Sequence, residues 1–233
     1  MAHEMKSILM IDDDSAFSAL VNDYFLNEGG FRFSVASDGK QGETLALAEA
    51  FDVIIIDVTM PEQDGFETLR AIRKHKDTPI IMFTARGDDF DKILGLELGA
   101  DDYVPKPCHL RELVARVKAI IRRVNKPVSQ TEQSLQYFQD LEINSGAQSI
   151  KKAGSYVALT SAEFLVLEKL LERKGEVVSK DDISRYALGR RITAFDRSVD
   201  AHVGHLRKKL GPAQNGMQRI KTVRGKGYLY VIS

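Results

Sequence analysis

Apolar residues follow two different rhythms along this chain. In the first half, short unbroken apolar runs alternate with longer amphipathic stretches. Ser7–Ile11, Phe31–Ala36, Asp52–Asp57, Pro79–Phe83 and Asp102–Val104 read as strands buried on both faces. Ser15–Glu28, Lys40–Ala50, Phe66–His75, Phe90–Leu98 and Leu110–Arg123 read as helices. Five strands alternating with five helices predict a doubly wound parallel α/β domain, whose right-handed crossovers bring the strands' carboxyl ends to one edge.

Past that point the rhythm changes. Asn125 to Ser134 lacks apolar periodicity and reads as a flexible linker. Short alternating runs around Tyr137–Phe138, Leu141–Ile143, Ser149–Ile150 and Tyr156–Leu159 predict a small antiparallel sheet. Thr160-Ser-Ala-Glu163, just before Phe164, is a capping box that opens a helix. A second helix is expected over Lys180 to Leu188. A third, from about Ala194 to Leu210, carries a core stripe of Val199, Val203, Leu206 and Leu210. Ile220 to Ile232 reads as a hairpin whose turn Gly225 and Gly227 permit. The expected organisation is one domain over residues 1–123, a linker over 124–136 and a second domain over 137–233.

Composition adds exclusions. The chain has 233 residues, 43% hydrophobic and 28% charged, the balance of an ordinary soluble globular protein. No run approaches the roughly 18 apolar residues of a membrane span, and Met1 to Lys6 lacks a signal-peptide pattern. The single cysteine, Cys108, excludes an internal disulfide and fits a reducing cytoplasm. The absence of a CxxC or His/Cys cluster argues against zinc. Net charge is zero, but residues 1–125 hold 22 acidic and 15 basic side chains, whereas residues 126–233 hold 11 and 18. A basic second half suits an anionic partner, although such imbalance also serves solubility alone.

The candidate chemistry sits at the strand ends. Asp12 and Asp13, Asp57, Thr84 and Lys106 each follow or close an apolar run, where open α/β sheets bind ligands. A single acidic residue there often only caps the next helix, the role expected of Asp14. Three converging carboxylates are harder to explain that way, because crowded like charges disfavour ionisation unless a cation neutralises them. Mg²⁺ (or Mn²⁺) fits such hard oxygen donors. Lys106 offers a positive charge and Thr84 a hydrogen bond to phosphoryl oxygens, and Asp57 can act as a nucleophile forming an aspartyl-phosphate.

Asp12-Asp13, Asp57-Val-Thr-Met-Pro61 with Asp64-Gly65, Thr84-Ala85 and Gly99-Ala-Asp-Asp-Tyr103-Val-Pro-Lys106-Pro107 resemble the receiver domain of bacterial response regulators, over residues 6 to about 123. The resemblance implies that Asp57 accepts a phosphoryl group from a sensor histidine kinase. It implies Mg²⁺ ligation by Asp12, Asp13, Asp57 and the backbone carbonyl of Thr59, and phosphoryl binding by Thr84 and Lys106. It also implies a switch in which the Tyr103 ring turns inward, and a cis Lys106–Pro107 bond. Cys108 stands where the family commonly has phenylalanine.

Ile93, Leu96 and Ala115 form an apolar patch among Lys92, Glu97, Asp101, Asp102, Arg111, Glu112, Arg116, Lys118 and Arg123. A mixed-charge helix face is often merely solvated, but this arrangement also suits a self-complementary twofold interface. In one branch of the family this face pairs two receivers after phosphorylation, with Lys92–Glu112 and Asp102–Arg116 as cross-interface ion pairs.

On the third helix of the second half, Arg197, Ala201, Gly204, His205 and Lys208 lie opposite the core stripe, flanked by Arg207, Lys209 and His202. Such a face, with Asp200 away from its centre, reads as exposed, basic and free of acids. Its small residues let a helix approach double-stranded DNA closely. Leu159-Thr-Ser-Ala-Glu-Phe164, Val199 to Leu210 and Thr222-Val-Arg-Gly-Lys-Gly-Tyr228 resemble the winged-helix domain of OmpR/PhoB-type regulators. The resemblance implies phosphate contacts from Arg197, His202 and Arg207, base reading by His205, and a wing carrying Thr222, Arg224 and Lys226, with Lys208 also on the DNA face. His205 stands where the family often has arginine. Leu188-Gly-Arg-Arg-Ile-Thr-Ala-Phe-Asp-Arg197 looks most like the cell-envelope stress branch, and the loop near Gly189–Thr193 touches RNA polymerase in relatives. The expectation is a cytoplasmic transcription factor, homodimeric when phosphorylated. A phosphatase of the haloacid dehalogenase type would need a second aspartate where Thr59 stands. A DNA binder indifferent to phosphorylation would have no use for all five pocket residues.

Overall fold

The apolar runs of the first half form one parallel sheet. Its elements are β1 (Lys6–Ile11), α1 (Ser15–Glu28), β2 (Phe31–Ala36), α2 (Gly39–Ala48), β3 (Val53–Ile56), α3 (Gly65–Arg73), β4 (Ile80–Thr84), α4 (Asp89–Glu97), β5 (Asp102–Pro105) and α5 (Leu110–Val124). The strand order is β2-β1-β3-β4-β5, all parallel, as expected. The computed structural model describes residues 5–84, 89–124, 135–193 and 196–232, and the chain divides into two units, Met1–Ile121 and Arg122–Ser233.

Ile8 to Ile11, Val53 to Ile56 and Ile80 to Phe83 are at most 1% exposed, which explains their continuous apolar character. Polar residues begin where the strands leave this core. Asp14 caps α1 by accepting a hydrogen bond from Phe17 N at 2.9 Å, as anticipated. Asp64 and Glu67 form a capping box on α3. Strand order reverses on either side of β1, so the crevice outside β1 and β3 is the place for a ligand.

The second unit contains β6 (Leu135–Phe138), β7 (Leu141–Asn144), β8 (Ser149–Lys152), β9 (Ser155–Val157), α6 (Ser161–Glu172), β10 (Val177–Val178), α7 (Lys180–Ala187), α8 (Ser198–Leu210), β11 (Ile220–Val223) and β12 (Gly227–Tyr230). β6 to β9 make an antiparallel meander, and α6 carries the expected Thr160–Glu163 capping box. Phe164, Leu167, Leu170, Val199, Val203, Leu206, Leu210 and Tyr230 share its core.

Two features depart from the sequence reading. β10, which was not anticipated, pairs Val177 and Val178 with Leu229 and Tyr228, turning the expected hairpin into a three-stranded sheet of order β10-β12-β11. Gly227 makes that sheet possible. It has φ +144°, and a Cβ there would stand 2.0 Å from the Val178 carbonyl oxygen. α8 begins at Ser198 rather than near Ala194, and positions 194 and 195 lie outside the described residues. The expected linker falls largely on residues 125–134, also outside them. Its flanks lie in regular elements, Val124 in α5 and Leu135–Gln136 in β6.

Candidate functional site

Adjacent parallel strands carry the first acidic residues to one point. Asp57 N donates to Ile11 O at 2.9 Å, and Asp12 N to Ala36 O at 3.1 Å, which sets Asp12 and Asp57 side by side beyond β1 and β3. Carboxylate oxygens of Asp12, Asp13 and Asp57 all lie within 4.8 Å of one another. Asp12 and Asp57 are buried and Asp13 is exposed, so the cluster opens to solvent on one side. Gly65 closes the floor, because a Cβ there would stand 2.0 Å from Asp57 O.

Lys106, just past β5, reaches into the cluster. Its Nζ donates to Asp12 Oδ2 at 2.8 Å and to Asp57 Oδ2 at 2.7 Å. It also lies 4.8 Å from the ring centre of Phe17 and 5.2 Å from that of Phe83. Burial opposes its charge, but the hydrogen bonds to Asp12 and Asp57 prevail and raise its pKa above the ordinary lysine value. Burial raises the Asp12 carboxyl above the usual range despite Lys106 and the Asp14 backbone N–H. Thr59 N donates to Asp57 Oδ1 at 3.3 Å, which places the start of the following loop against the acid. Thr84 ends β4 in register with Pro105, one residue before Lys106; its side chain lies outside the described set. The Lys106–Pro107 bond is cis, as the resemblance implied.

The face formed by α4, β5 and α5 differs from its sequence reading in two members, Leu96 and Asp102, the latter being 2% exposed. Ile93 is 40% exposed and Ala115 is exposed, but Leu96 is 1% exposed and belongs to the core rather than to a surface patch. Helical spacing set Leu96 beside Ile93 without revealing that Leu96 sits on the packed flank of α4. Tyr103 is buried at 5% exposure. Arg116 binds Asp102 at 2.8 Å and Glu112 at 2.6 Å within the chain, and Lys92 is half-buried on α4.

The expected basic face of α8 is also corrected. Ala201, His202 and His205 are 6%, 1% and 9% exposed, because the helix packs along one flank as well as along its apolar stripe. His202 therefore lies inside rather than on the phosphate-facing side. The exposed arc is Arg197, Lys208 and Lys209, with half-buried Gly204 and Arg207. Asp200 borders this arc, taking Lys180 at 2.6 Å, Arg197 at 3.5 Å and the Tyr228 hydroxyl, so the face is not free of acids. Arg207 donates to Ile220 O at 3.0 Å and Thr222 Oγ1 at 2.8 Å, tying the helix to β11. Thr222, Arg224 and Lys226 are exposed, the last two in the turn between β11 and β12.

Sequence reasoning treated Glu163 only as a cap. In the fold it is 1% exposed, accepts Thr160 N at 2.9 Å and Lys209 Nζ at 2.6 Å, and has His205 Nδ1 3.2 Å from its other oxygen. Burial opposes its charge, but His205, Lys209 and the Thr160 amide together hold its pKa down at about 2. Its position three residues after a capping threonine was the available signal. Nothing local pointed to partners on α8.

An acidic, lysine-braced pocket on a doubly wound sheet, joined to a three-helix domain with a basic helix and a hairpin, defines a two-component response regulator that binds DNA. Residues 8–118 match the response regulator receiver domain, and residues 154–230 the C-terminal domain of transcriptional regulatory proteins. The chain belongs to the OmpR/PhoB family of response regulators. The transcriptional regulatory protein CpxR of Klebsiella pneumoniae is 43% identical over 231 residues, covering 97% of this chain and 99% of its own. CpxR of Escherichia coli K12 is 42% identical over the same length, and the CpxR homologue of Haemophilus influenzae 40% over 230 residues. Among solved structures, a mutant form of RitR shares the fold, with a TM-score of 0.75 at 22% identity over 97% of this chain and 98% of its own. A two-component response regulator from Clostridium difficile aligns with 52% of this chain and 99% of its own, with a TM-score of 0.50 and 30% identity.

Proposed function

We propose that this regulator is switched by phosphorylation of Asp57 by a sensor histidine kinase, and that it then dimerises through its receiver and regulates transcription in the response to envelope stress. The observation that carries the reading is the meeting of Asp12, Asp13 and Asp57 within 4.8 Å, with Lys106 bridging two of them. In the transfer step an Asp57 carboxylate oxygen bonds to the phosphorus of a phosphohistidine. The phosphorus–nitrogen bond breaks, and the leaving imidazole nitrogen takes a proton from water. Lys106, already 2.7 Å from Asp57 Oδ2, turns its ammonium to the arriving phosphoryl oxygens. Thr84 donates to another of those oxygens.

The donor set suits Mg²⁺ or Mn²⁺, because it consists of hard carboxylate oxygens on a cluster open to solvent on one side. Asp12, Asp13, Asp57 and the Thr59 carbonyl would hold the ion, which would supply positive charge to offset that of the carboxylates and the phosphoryl group.

Residues 1–123 act as the receiver and 137–233 as the DNA-binding domain, with 124–136 as a linker. The dimer face comprises Lys92, Ile93, Asp102, Glu112, Ala115 and Arg116, around Tyr103. Exchange of the Asp102–Arg116 pair between copies gives it self-complementarity. Two linked DNA-binding domains then meet tandem half-sites at raised effective concentration. Arg197, Arg207 and Lys208 address phosphates, Arg224 and Lys226 enter from the wing, and the Gly189–Thr193 loop meets RNA polymerase. The name CpxR carried by full-length relatives at 40–43% identity supports the envelope-stress assignment. No helix among the described residues is long and apolar enough to cross a membrane, and a cytoplasmic site of action is proposed. The test replaces Asp57 with Asn and measures promoter affinity with and without acetyl phosphate. Wild type should bind more tightly and dimerise after treatment, and D57N should do neither. Equal responses of the two proteins would remove the switch.

A further inference from the structure

The antiparallel meander β6 to β9 turns one face into the core of the second unit, through Leu141, Ile143 and Ile150. Its other face meets solvent. The register sets Tyr137 opposite Glu142, Glu142 opposite Lys151 and Lys151 opposite Tyr156, so one residue from each strand joins a row across that outer face. Tyr137 is 72% exposed and Tyr156 75%, and Glu142 and Lys151 pair between them at 2.9 Å. Beside the row, Asn144 stands opposite Ser149 on the same face. A cross-strand ion pair is ordinary sheet stabilisation, and a single exposed tyrosine needs no explanation. The order of the four residues is what carries information.

Read across the sheet, the row runs aromatic, acid, base, aromatic, and reversed it is its own complement. A twofold axis along the strands, midway between β7 and β8, lays the row of a second copy over the first in the opposite sense. Tyr137 then meets the second copy's Tyr156, Glu142 meets its Lys151 and Asn144 meets its Ser149, each contact made twice. From this register we propose that the outer face of the meander is a self-association surface whose occupant is a second copy of this chain. Four charges of alternating sign close a square near the axis, and tyrosines at both ends shield it from water. A purely apolar partner would leave the central ion pair unanswered, whereas a second copy answers it charge for charge. The row shares no residue with the DNA face or with the receiver's dimer face, so the contact is distinct from both. Strand spacing and rise give the face about 250 Å² in plan, well below the roughly 800 Å² per partner of a standard interface. The contact is therefore weak and forms where copies are already crowded, as on neighbouring DNA sites.

The experiment uses the full chain without any phosphodonor, which leaves receiver pairing switched off. Sedimentation equilibrium at concentrations up to about 1 mM detects an association of that strength. Wild type should self-associate, and D57N should match it. Glu142→Lys and Lys151→Glu each set like charges against one another twice and should weaken self-association about tenfold. An equimolar mixture of E142K and K151E should restore association as a one-to-one pair, because every cross-contact then joins opposite charges. The double variant E142K/K151E should associate like wild type. Tyr156→Ser, at an exposed position, should weaken association in its own right and decides the matter if a charge variant does not fold. A wild type that stays monomeric throughout overturns the proposal. So do charge variants that associate as wild type does, or a mixture that associates no better than its two components alone.

Discussion

Replacing Lys106 with methionine isolates the electrostatics of the phosphorylation pocket. The substitution keeps an unbranched side chain against Phe17 and Phe83 but removes the ammonium that lies 2.8 Å from Asp12 and 2.7 Å from Asp57. Both partners are largely withdrawn from water, at 1% and 9% side-chain exposure, and Lys106 itself is 18% exposed. Removing one member of a buried ion pair costs roughly 3–5 kcal/mol, because the remaining charge is left uncompensated. Here exposed Asp13 and the open side of the cluster admit water and counter-ions, which places the expected loss near the lower end, at about 3 kcal/mol. A divalent cation restores the missing positive charge, so millimolar Mg²⁺ should stabilise the variant more than the wild type by mass action. Urea unfolding of the full chain at neutral pH, followed by a probe in the first unit with and without Mg²⁺, measures both effects. Equal stability of K106M and wild type without the metal, or a deficit that Mg²⁺ leaves unchanged, would refute the idea that Lys106 holds the carboxylates together.

The second unit supports three further predictions. Glu163 has a folded-state pKa of about 2 against 4.5 for a free glutamate, so its stabilisation is fully present above pH 4.5 and disappears as pH falls toward 2. The loss should reach about 3 kcal/mol, and acid titration of E163Q should lack this component. Gly227→Ala forces a Cβ to within 2.0 Å of Val178 O at φ +144° and should cost more than about 2 kcal/mol. By contrast, Gly225→Ala, at φ +70° with open space around it, should cost about 1 kcal/mol, and thermal unfolding of both variants measures the difference. Asp140→Ala strands the Arg219 guanidinium, which is 2% exposed and binds Asp140 at 2.6 and 2.7 Å, and should destabilise by about 3–5 kcal/mol in urea. Arg219→Met in the same protein should recover part of that loss.

The parts visible in the sequence were those encoded by local rhythm. Runs such as Val53 to Ile56 could only be buried strands, and a doubly wound sheet then brings Asp12 and Asp57 together whatever its details. Caps at Asp14 and Thr160 follow from a few adjacent residues. Contacts between distant segments stayed hidden. β10 has two residues, too few for a period, and depends on the absence of a side chain at Gly227. The apolar stripe of α8 located one packing partner, but Ala201, His202 and His205 are buried by a second, so its exposed arc is rotated toward Asp200. Leu96 was misplaced for the same reason, since helical spacing aligns residues without showing which flank is covered. The Arg219–Asp140 pair spans 79 residues and left no pattern at all. Of the pocket, identities and convergence were legible, whereas the doubly bonded Lys106 over two aromatic rings required coordinates.

The central claim is that a cation-neutralised carboxylate cluster makes Asp57 able to accept a phosphoryl group. Incubation of the full chain with radiolabelled acetyl phosphate, followed by peptide mapping, addresses it directly. The account predicts a hydroxylamine-labile label confined to the peptide containing Asp57, present with Mg²⁺, absent when the metal is chelated and absent in D57N. Label on another residue, or label at Asp57 that forms equally well without a divalent ion, would contradict it.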